Sequence, residues 1–341
     1  MNRRNLILTV ALIAQVMLIL LITTLRTPSA TAGAGPLLGE TKSADISRLT
    51  IQDREGKRIE LSRQGEGWVL PQYDDFPAET NRVTPFLDKL TGIRTGRLIA
   101  RTATSHDRLQ VAANNYARRI ELTLANNRTQ VLFIGTSAGG SAVHVRVEGS
   151  DEVYLADGLT SFDAGVEASS WINTTYLQVP QEQVNALTLT NANGTFEFEK
   201  DASGAWTMKG LAGGETLDAS KVTELVSRLS FLNMNRPLGK TAKPEYGMET
   251  PTAVVTVTLK QENASPKPIV LRIGAQDTTD NTYTISSSES PYYVRANSFT
   301  VESFVSRRRQ DFLVAPPTPT PTVEATPAAT RETGATPTIT P

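Results

Sequence analysis

Few residues of this 341-residue chain are spaced for chemistry. Gly135-Thr136-Ser137-Ala138-Gly139 matches the G-x-S-x-G pattern of a serine nucleophile. That pattern works when a strand precedes it and a helix follows, so that the serine stands on a strained turn. Here Gly140-Ser141 and an alternating run from Ala142 follow, so the reading is a loop between two strands. A general base would have to be His106 or His144, the two histidines of the chain. His144 falls on the polar side of its alternation and is expected to be exposed, and His106 falls in a loop-like stretch. Neither belongs to a metal-ligand spacing. Asp74 and Asp75, near Glu79, could face a cation, but calcium takes about six to eight oxygens and this segment lacks the spacing of a calcium loop. A solvated acidic loop is expected. Arg307-Arg308-Arg309 reads as a solvated face, with partner or lipid contact as the alternative.

Composition removes further chemistries. Cysteine is absent, which excludes disulfides, thiolate zinc sites, iron–sulfur clusters and a cysteine nucleophile. The net charge is −1, so the concentrated basic surface that nucleic acid requires is not expected. Gly33, Gly35 and Gly39 follow no strand and open no βαβ unit, so they belong to a linker and not to a dinucleotide loop. Asn127, Asn173, Asn193 and Asn263 begin N-x-S/T sequons, read as incidental. Catalytic residues, cofactor-binding residues and metal ligands are assigned nowhere. The chain is expected not to be an enzyme.

The elements that would position a site begin after the N-terminus. Residues 5–25 carry no charge, and as a helix they would span about 30 Å, the thickness of a hydrocarbon core. Arg3 and Arg4 precede them, so the positive-inside rule places the N-terminus in the cytoplasm and everything after Arg26 outside. Ala30-Thr31-Ala32 resembles a signal-peptide cleavage site, but the apolar run exceeds the usual length of a signal core. The expected organisation is an anchor at 1–26, a flexible linker at 27–43, α+β repeats at 44–172 and 173–314, and a disordered tail at 315–341. The tail holds 7 Pro and 9 Thr and has no apolar periodicity with which to build a core.

An internal repeat is the strongest signal. Leu49-Thr50-Ile51 matches Leu187-Thr188-Leu189, and Trp68 matches Trp206. Val83, Leu87 and Leu90 match Val222, Val226 and Leu229, and Ile134-Gly135 matches Ile273-Gly274. A near-constant offset over several elements marks a duplicated unit. In each half the alternating runs predict antiparallel strands with one apolar face. Val83, Phe86, Leu87 and Leu90, and their counterparts Val222, Leu225, Val226 and Leu229, predict helices with one apolar stripe. Asp218 suits the N-cap of the second. Closing helices are expected near 159–169 and 298–308. Trp68 and Trp206 are expected in the core. The fold class is therefore α+β: two tandem copies of a mostly antiparallel sheet with helices packed on one face, after one transmembrane helix. The two copies are expected to form separate cores joined near 171–184.

Gly67-Trp68-Val69-Leu70, Leu132-Phe133-Ile134-Gly135 and Val153-Tyr154-Leu155, with their counterparts in the second half, stand in an order that resembles a bacterial family. It is the domain-of-unknown-function family numbered 4340, and the resemblance covers about residues 5–313. The resemblance implies an extracytoplasmic auxiliary component of a gliding-type ABC transport system. It implies a partner, an ABC permease or ATPase, and carries over no catalytic residue. The expected function is a membrane-anchored, single-pass interaction module that meets the bilayer through residues 5–25 and assists such a complex. The alternatives are a hydrolase of a cell-envelope polymer, using a pair of carboxylates, and a passive surface spacer.

Overall fold

The computed structural model describes residues 12, 14, 15, 17, 34–260 and 267–315. The expected anchor at 5–25 and the tail lie almost entirely outside these residues, as does Asn263. Among the described residues no helix is long and apolar enough to cross a membrane.

The chain is α+β, built on two large antiparallel sheets. The first begins with a meander of β1 (Ile46–Asp53), β2 (Arg58–Gln64), β3 (Gly67–Leu70) and β4 (Phe76–Ala78), followed by helix α1 (Thr80–Thr91). Then come β5 (Leu98–Ala100), α2 (Ala103–Arg108) and a small hairpin of β6 (Val111–Ala112) and β7 (Asn115–Tyr116). The long strands β8 (Arg118–Leu124), β9 (Thr129–Gly139), β10 (Ala142–Val147) and β11 (Val153–Asp157) complete it. The second part contains β12 (Thr175–Leu177), β13 (Val184–Asn191), β14 (Gly194–Lys200), β15 (Trp206–Met208), α3 (Ala219–Ser230), β16 (Leu232–Asn233) and β17 (Arg236–Gly239). It ends with β18 (Ala253–Leu259), β19 (Lys267–Asp277), β20 (Thr282–Ser287), β21 (Tyr293–Asn297) and α4 (Ser298–Ser306). The sheet orders are β4-β3-β2-β1-β8-β9-β10-β11-β5 and β15-β14-β13-β18-β19-β20-β21-β17.

Alternation produces this register. Leu49 and Ile51 of β1 lie opposite Leu61 and Ile59 of β2 and opposite Leu122 and Ile120 of β8. All six are buried on one face, because successive strand side chains point to opposite sides. Helix α1 lays Val83, Phe86, Leu87 and Leu90 on the first sheet, and α3 lays Val222, Leu225, Val226 and Leu229 on the second. The Asp218 carboxylate accepts the Ser220 N–H at 3.1 Å and caps α3 as expected. Trp68 is buried at 1% exposure, whereas Trp206 is half-buried beneath the Lys200 ammonium, 5.2 Å from its ring centroid.

Several expectations are corrected. One contiguous apolar cluster runs through both sheets, where two separate cores are expected. The stretch 164–179 joins them, because Ala164, Val166, Ala168, Trp171, Ile172, Leu177 and Val179 are all buried in that cluster. No α-helix forms near 159–169. The Asp163 carboxylate there takes the N–H and hydroxyl of Thr160 at 2.8 and 2.6 Å and pairs with Lys89, a capping-box turn, but the Ala164 and Gly165 carbonyls that would continue a helix accept the Arg118 Nε–H and the Trp171 Nε1–H instead, at 2.8 and 2.9 Å. Residues 34–41 are bonded into the fold, although the linker is expected to extend to 43. The Leu37 N–H donates to the Ile93 carbonyl, the Thr95 N–H donates to the Gly35 carbonyl, and Leu38 is in the core. The arginines at 307–309 are not a solvated face throughout. Arg307 pairs with Glu224 at 2.8 Å, and Arg309 pairs with Glu215 and reaches the Gly210 carbonyl at 2.7 Å. The Arg228 hydrogen bond, helped by the charge of Arg307, holds the Glu224 carboxyl below its ordinary range.

The serine motif is settled by strand pairing. Ser137 lies within β9 and pairs with Val143 of β10, so it occupies an antiparallel hairpin with no helix after it. Its first glycine has another role. A Cβ on Gly135 would stand 2.0 Å from the Leu109 carbonyl oxygen, and one on Gly274 would stand 2.0 Å from that of Tyr246. Both glycines let a crossing segment lie directly on an interior strand of their sheet. Gly135→Ala and Gly274→Ala are each expected to destabilise by at least about 1–3 kcal/mol, the scale of forced overpacking. Gly213→Ala meets no neighbour within 4 Å and is expected to stay within about 0.5 kcal/mol of the parent in urea unfolding.

Candidate functional site

The seam between the two sheets gathers the polar and aromatic groups that the rest of the fold leaves over. At the edge of the first sheet, β3 turns through a short 3-10 helix (Pro71–Tyr73) into β4. Asp74 and Asp75 both adopt left-handed backbone there, with φ of 54° and 59°, a region that Asp tolerates better than most residues. This turn aims the Asp74 carboxylate at the second sheet, where it accepts the Lys240 N–H at 2.7 Å. Gly239 precedes that contact at φ 104°, and a side chain on it would strike the Asp74 carboxylate at 2.5 Å. The acidic loop of the sequence reading is therefore part of a joint. Among the described residues no group of three or more Asp, Glu or His could hold a metal ion.

Tyr292 and Tyr176 complete the joint. The Tyr292 hydroxyl donates to the Asp75 carbonyl at 2.9 Å, and its ring meets Phe76 edge-on with centroids 4.7 Å apart. The Lys240 ammonium stands 4.9 Å from the Tyr292 ring centroid. The Tyr176 hydroxyl donates to the Tyr292 carbonyl at 2.7 Å and accepts the Ser287 N–H at 2.9 Å. Burial pushes the Tyr176 phenol up to about 12, against the Ser287 hydrogen bond that favours its ionised form. Behind this row, the Glu79 N–H donates to the Trp171 carbonyl at 2.7 Å, and the Trp171 ring packs on Phe86.

These groups border a cleft of about 330 Å³. Phe76, Pro77 and Ala78 line it from the first sheet, and Tyr176, Met234, Pro291 and Tyr292 line it from the second part of the chain. Glu79 and Glu289 also line it. Each is tied to a cation, Glu79 to Arg82 and Glu289 to Lys267, both at 2.7 Å. The cleft is at the lower end of the size range of ligand pockets, and its proline and aromatic faces offer flat apolar contact to a few side chains of an extended segment.

The residues singled out in the sequence are not brought together. His106 is buried in α2, with Nε2 2.8 Å from the Asp151 carbonyl, so the loop-like reading is replaced by a helix capped by Thr102. His144 is half-buried, with Nδ1 3.0 Å from the Thr136 hydroxyl and carbonyl. Neither lines the seam cleft. Tyr176 has no periodicity that marks it, and its only signal is its place beside the junction of the halves. Asn173 lines the cleft and accepts the Thr175 N–H. Asn193 holds the Ser306 and Arg307 carbonyls, and Asn127 forms a left-handed turn.

Over residues 68–251, just over half of the chain, the sequence matches the model of a family described as Domain of unknown function (DUF4340). The chain belongs to that family. The DUF4340 match begins at Trp68 in β3 and ends just before β18, so it spans the seam and takes in Phe76, Tyr176 and Met234. No curated protein and no solved structure matches the chain.

Tyr176→Phe removes one hydroxyl and leaves a buried N–H and a carbonyl without it, a loss expected to cost about 1–3 kcal/mol. The raised phenol also sets a pH limit. Its stabilising contribution is complete below the ordinary tyrosine value near 10 and is lost as pH rises from there through about 12. Denaturant midpoints between pH 8 and 12 should fall more steeply for the parent than for Tyr176→Phe, and parallel curves would refute the assignment.

Proposed function

We propose that this chain is a membrane-anchored extracytoplasmic interaction module, an accessory component of an ABC-type transport or gliding-type envelope complex. Its finer architecture on this reading is an anchor at 5–25 followed by two tandem copies of one sheet-and-helix unit. The single observation that carries the binding role is the seam cleft, where apolar walls from both sheets meet beside the edge strand β4. The uncharged segment 5–25 supports the anchor. The matched strand orders of the two sheets support the duplication. Phe231 and Phe299, 64% and 73% exposed at the end of α3 and the start of α4, offer further apolar contact.

The test is capture of partners by the full-length protein from its own membranes in mild detergent. An ABC permease or ATPase should co-purify, and Pro291→Asp, which places a charge on the cleft wall, should release it. A solitary protein would overturn the reading. The anchor is tested separately. Alkaline extraction should leave the protein in the membrane, and a mature chain beginning at Gly33 would remove the anchor.

The two carboxylates of the cleft favour a second reading, a hydrolase of an envelope polymer. Glycosidase carboxylates act as a pair across the scissile bond, and Glu79 and Glu289 would be that pair. Release of reducing ends from cell-wall polymer should then vanish in Glu79→Gln and in Glu289→Gln. Equal release by the parent and both variants, or none by the parent, would end this reading.

A further inference from the structure

Among the described residues, the outer edge of the first sheet, opposite the seam, is β5, which pairs with β11. An edge strand exposes unpaired backbone, and natural proteins guard such edges with charge. Here the flanks are charged and the strand itself is not. Arg94, Arg97 and Arg101 are exposed around it, while Leu98 and Ile99 are 41% and 46% exposed. Adjacent strand residues point to opposite faces, so the edge presents a large apolar side chain on each side with arginines before and behind. Two of the arginines make pairs in open solvent, Arg97 with Asp157 and Arg101 with Glu152. Exposed pairs of this kind are readily exchanged for other anions.

The chain's path places this edge. Residues 34–37 run antiparallel to 93–95, with a bridge between Pro36 and Arg94. Ala34 lies against Gly96, since a Cβ on Gly96 would be 3.4 Å from that of Ala34. The chain therefore leaves toward residues 5–25 from the middle of the arginine stretch. Residues 27–33 are all that separate Arg26 from Ala34, and fully extended they reach about 25 Å.

We propose that the β5 edge is a membrane-contacting surface. Leu98 and Ile99 enter the interfacial layer, and Arg94, Arg97 and Arg101 bind the phosphates of anionic lipids. This inference rests on the reading of 5–25 as a membrane anchor. The ligand chemistry is that of a lipid surface, apolar beneath and anionic above, which matches apolar residues framed by arginines. Short tethering makes the contact intramolecular and so raises its effective concentration.

The chain has no cysteine, so one introduced thiol is a unique label. Full-length Ile99→Cys, carrying an environment-sensitive fluorophore, is reconstituted into vesicles of phosphatidylglycerol and phosphatidylcholine. Phe231→Cys in the second part of the chain serves as the reference position. The label at 99 should shift to the blue and be quenched by spin-labelled lipid, and the label at 231 should not. Changing Arg94, Arg97 and Arg101 together to Gln should reduce the shift. Molar salt should reduce it as well, because the screening length falls from about 10 Å to about 3 Å between 0.1 and 1 M. A label at 99 that stays in water on these vesicles overturns the inference and leaves the arginines as edge guards. An equal shift in phosphatidylcholine alone overturns the anionic part. Alkaline extraction of the same vesicles separates the two readings. A chain that resists extraction with its label in water retains the anchor and loses the contact. A chain that is extracted yet shows the shift loses the anchor and retains the contact.

Discussion

The row of hydrogen bonds through Tyr176 and Tyr292 is the constraint on which the arrangement of this molecule depends. Each sheet could bury one apolar face with its own helix. What a sheet cannot do alone is satisfy the polar backbone at the edge where the other begins. On the second-sheet side the Tyr176 hydroxyl fixes the segment that carries Tyr292 by donating to the Tyr292 carbonyl while accepting the Ser287 N–H, and the Lys240 N–H crosses to the Asp74 carboxylate of the first sheet. The Tyr292 hydroxyl reaches back to Asp75 in the first sheet. Buried polar groups are costly unless paired, so these few bonds let one continuous apolar cluster extend under both sheets. The cleft follows from the same arrangement, since its walls are the rings and prolines that flank the row.

Much of the fold was legible in the residues. Alternation located the long strands, because one-sided burial leaves a period of two. Spacing of three and four located α1 and α3 for the same reason. The closing helix expected near 159–169 failed on a local competition. Arg118 and Trp171 take the Ala164 and Gly165 carbonyls that a second helical turn needs, and neither bond leaves a mark in the spacing of apolar residues. The insert of α2, β6 and β7 carries only a small second cluster around Val111, Val131, Phe133 and Val153, too short a run for periodicity to register. Its helix is held at the start by the Thr102 hydroxyl, which accepts the Ser105 N–H.

The candidate site was much less legible. It is made of residues far apart in sequence, with Asp74 meeting Lys240 and Tyr176 meeting Tyr292. A single sequence records periodicity within an element but not which turns will face each other. The G-x-S-x-G match shows the converse. Its spacing was fully visible, and Gly135 serves a backbone crossing that the pattern does not encode.

Helix α1 has a mechanical consequence. It begins directly after Glu79 at the cleft and ends beside Ile93, whose carbonyl holds the N-terminal strap through Leu37. Its twelve residues form a rod about 18 Å long. The strap lies antiparallel to its partner segment, so tension along the chain loads its bonds in shear, where they share the force. If the cleft holds a partner segment and residues 5–25 are an anchor, as proposed above, a tug on that segment travels through one stiff strut to the point where the chain turns toward residues 5–25. On that reading the grip and the mooring stand at opposite ends of a single helix.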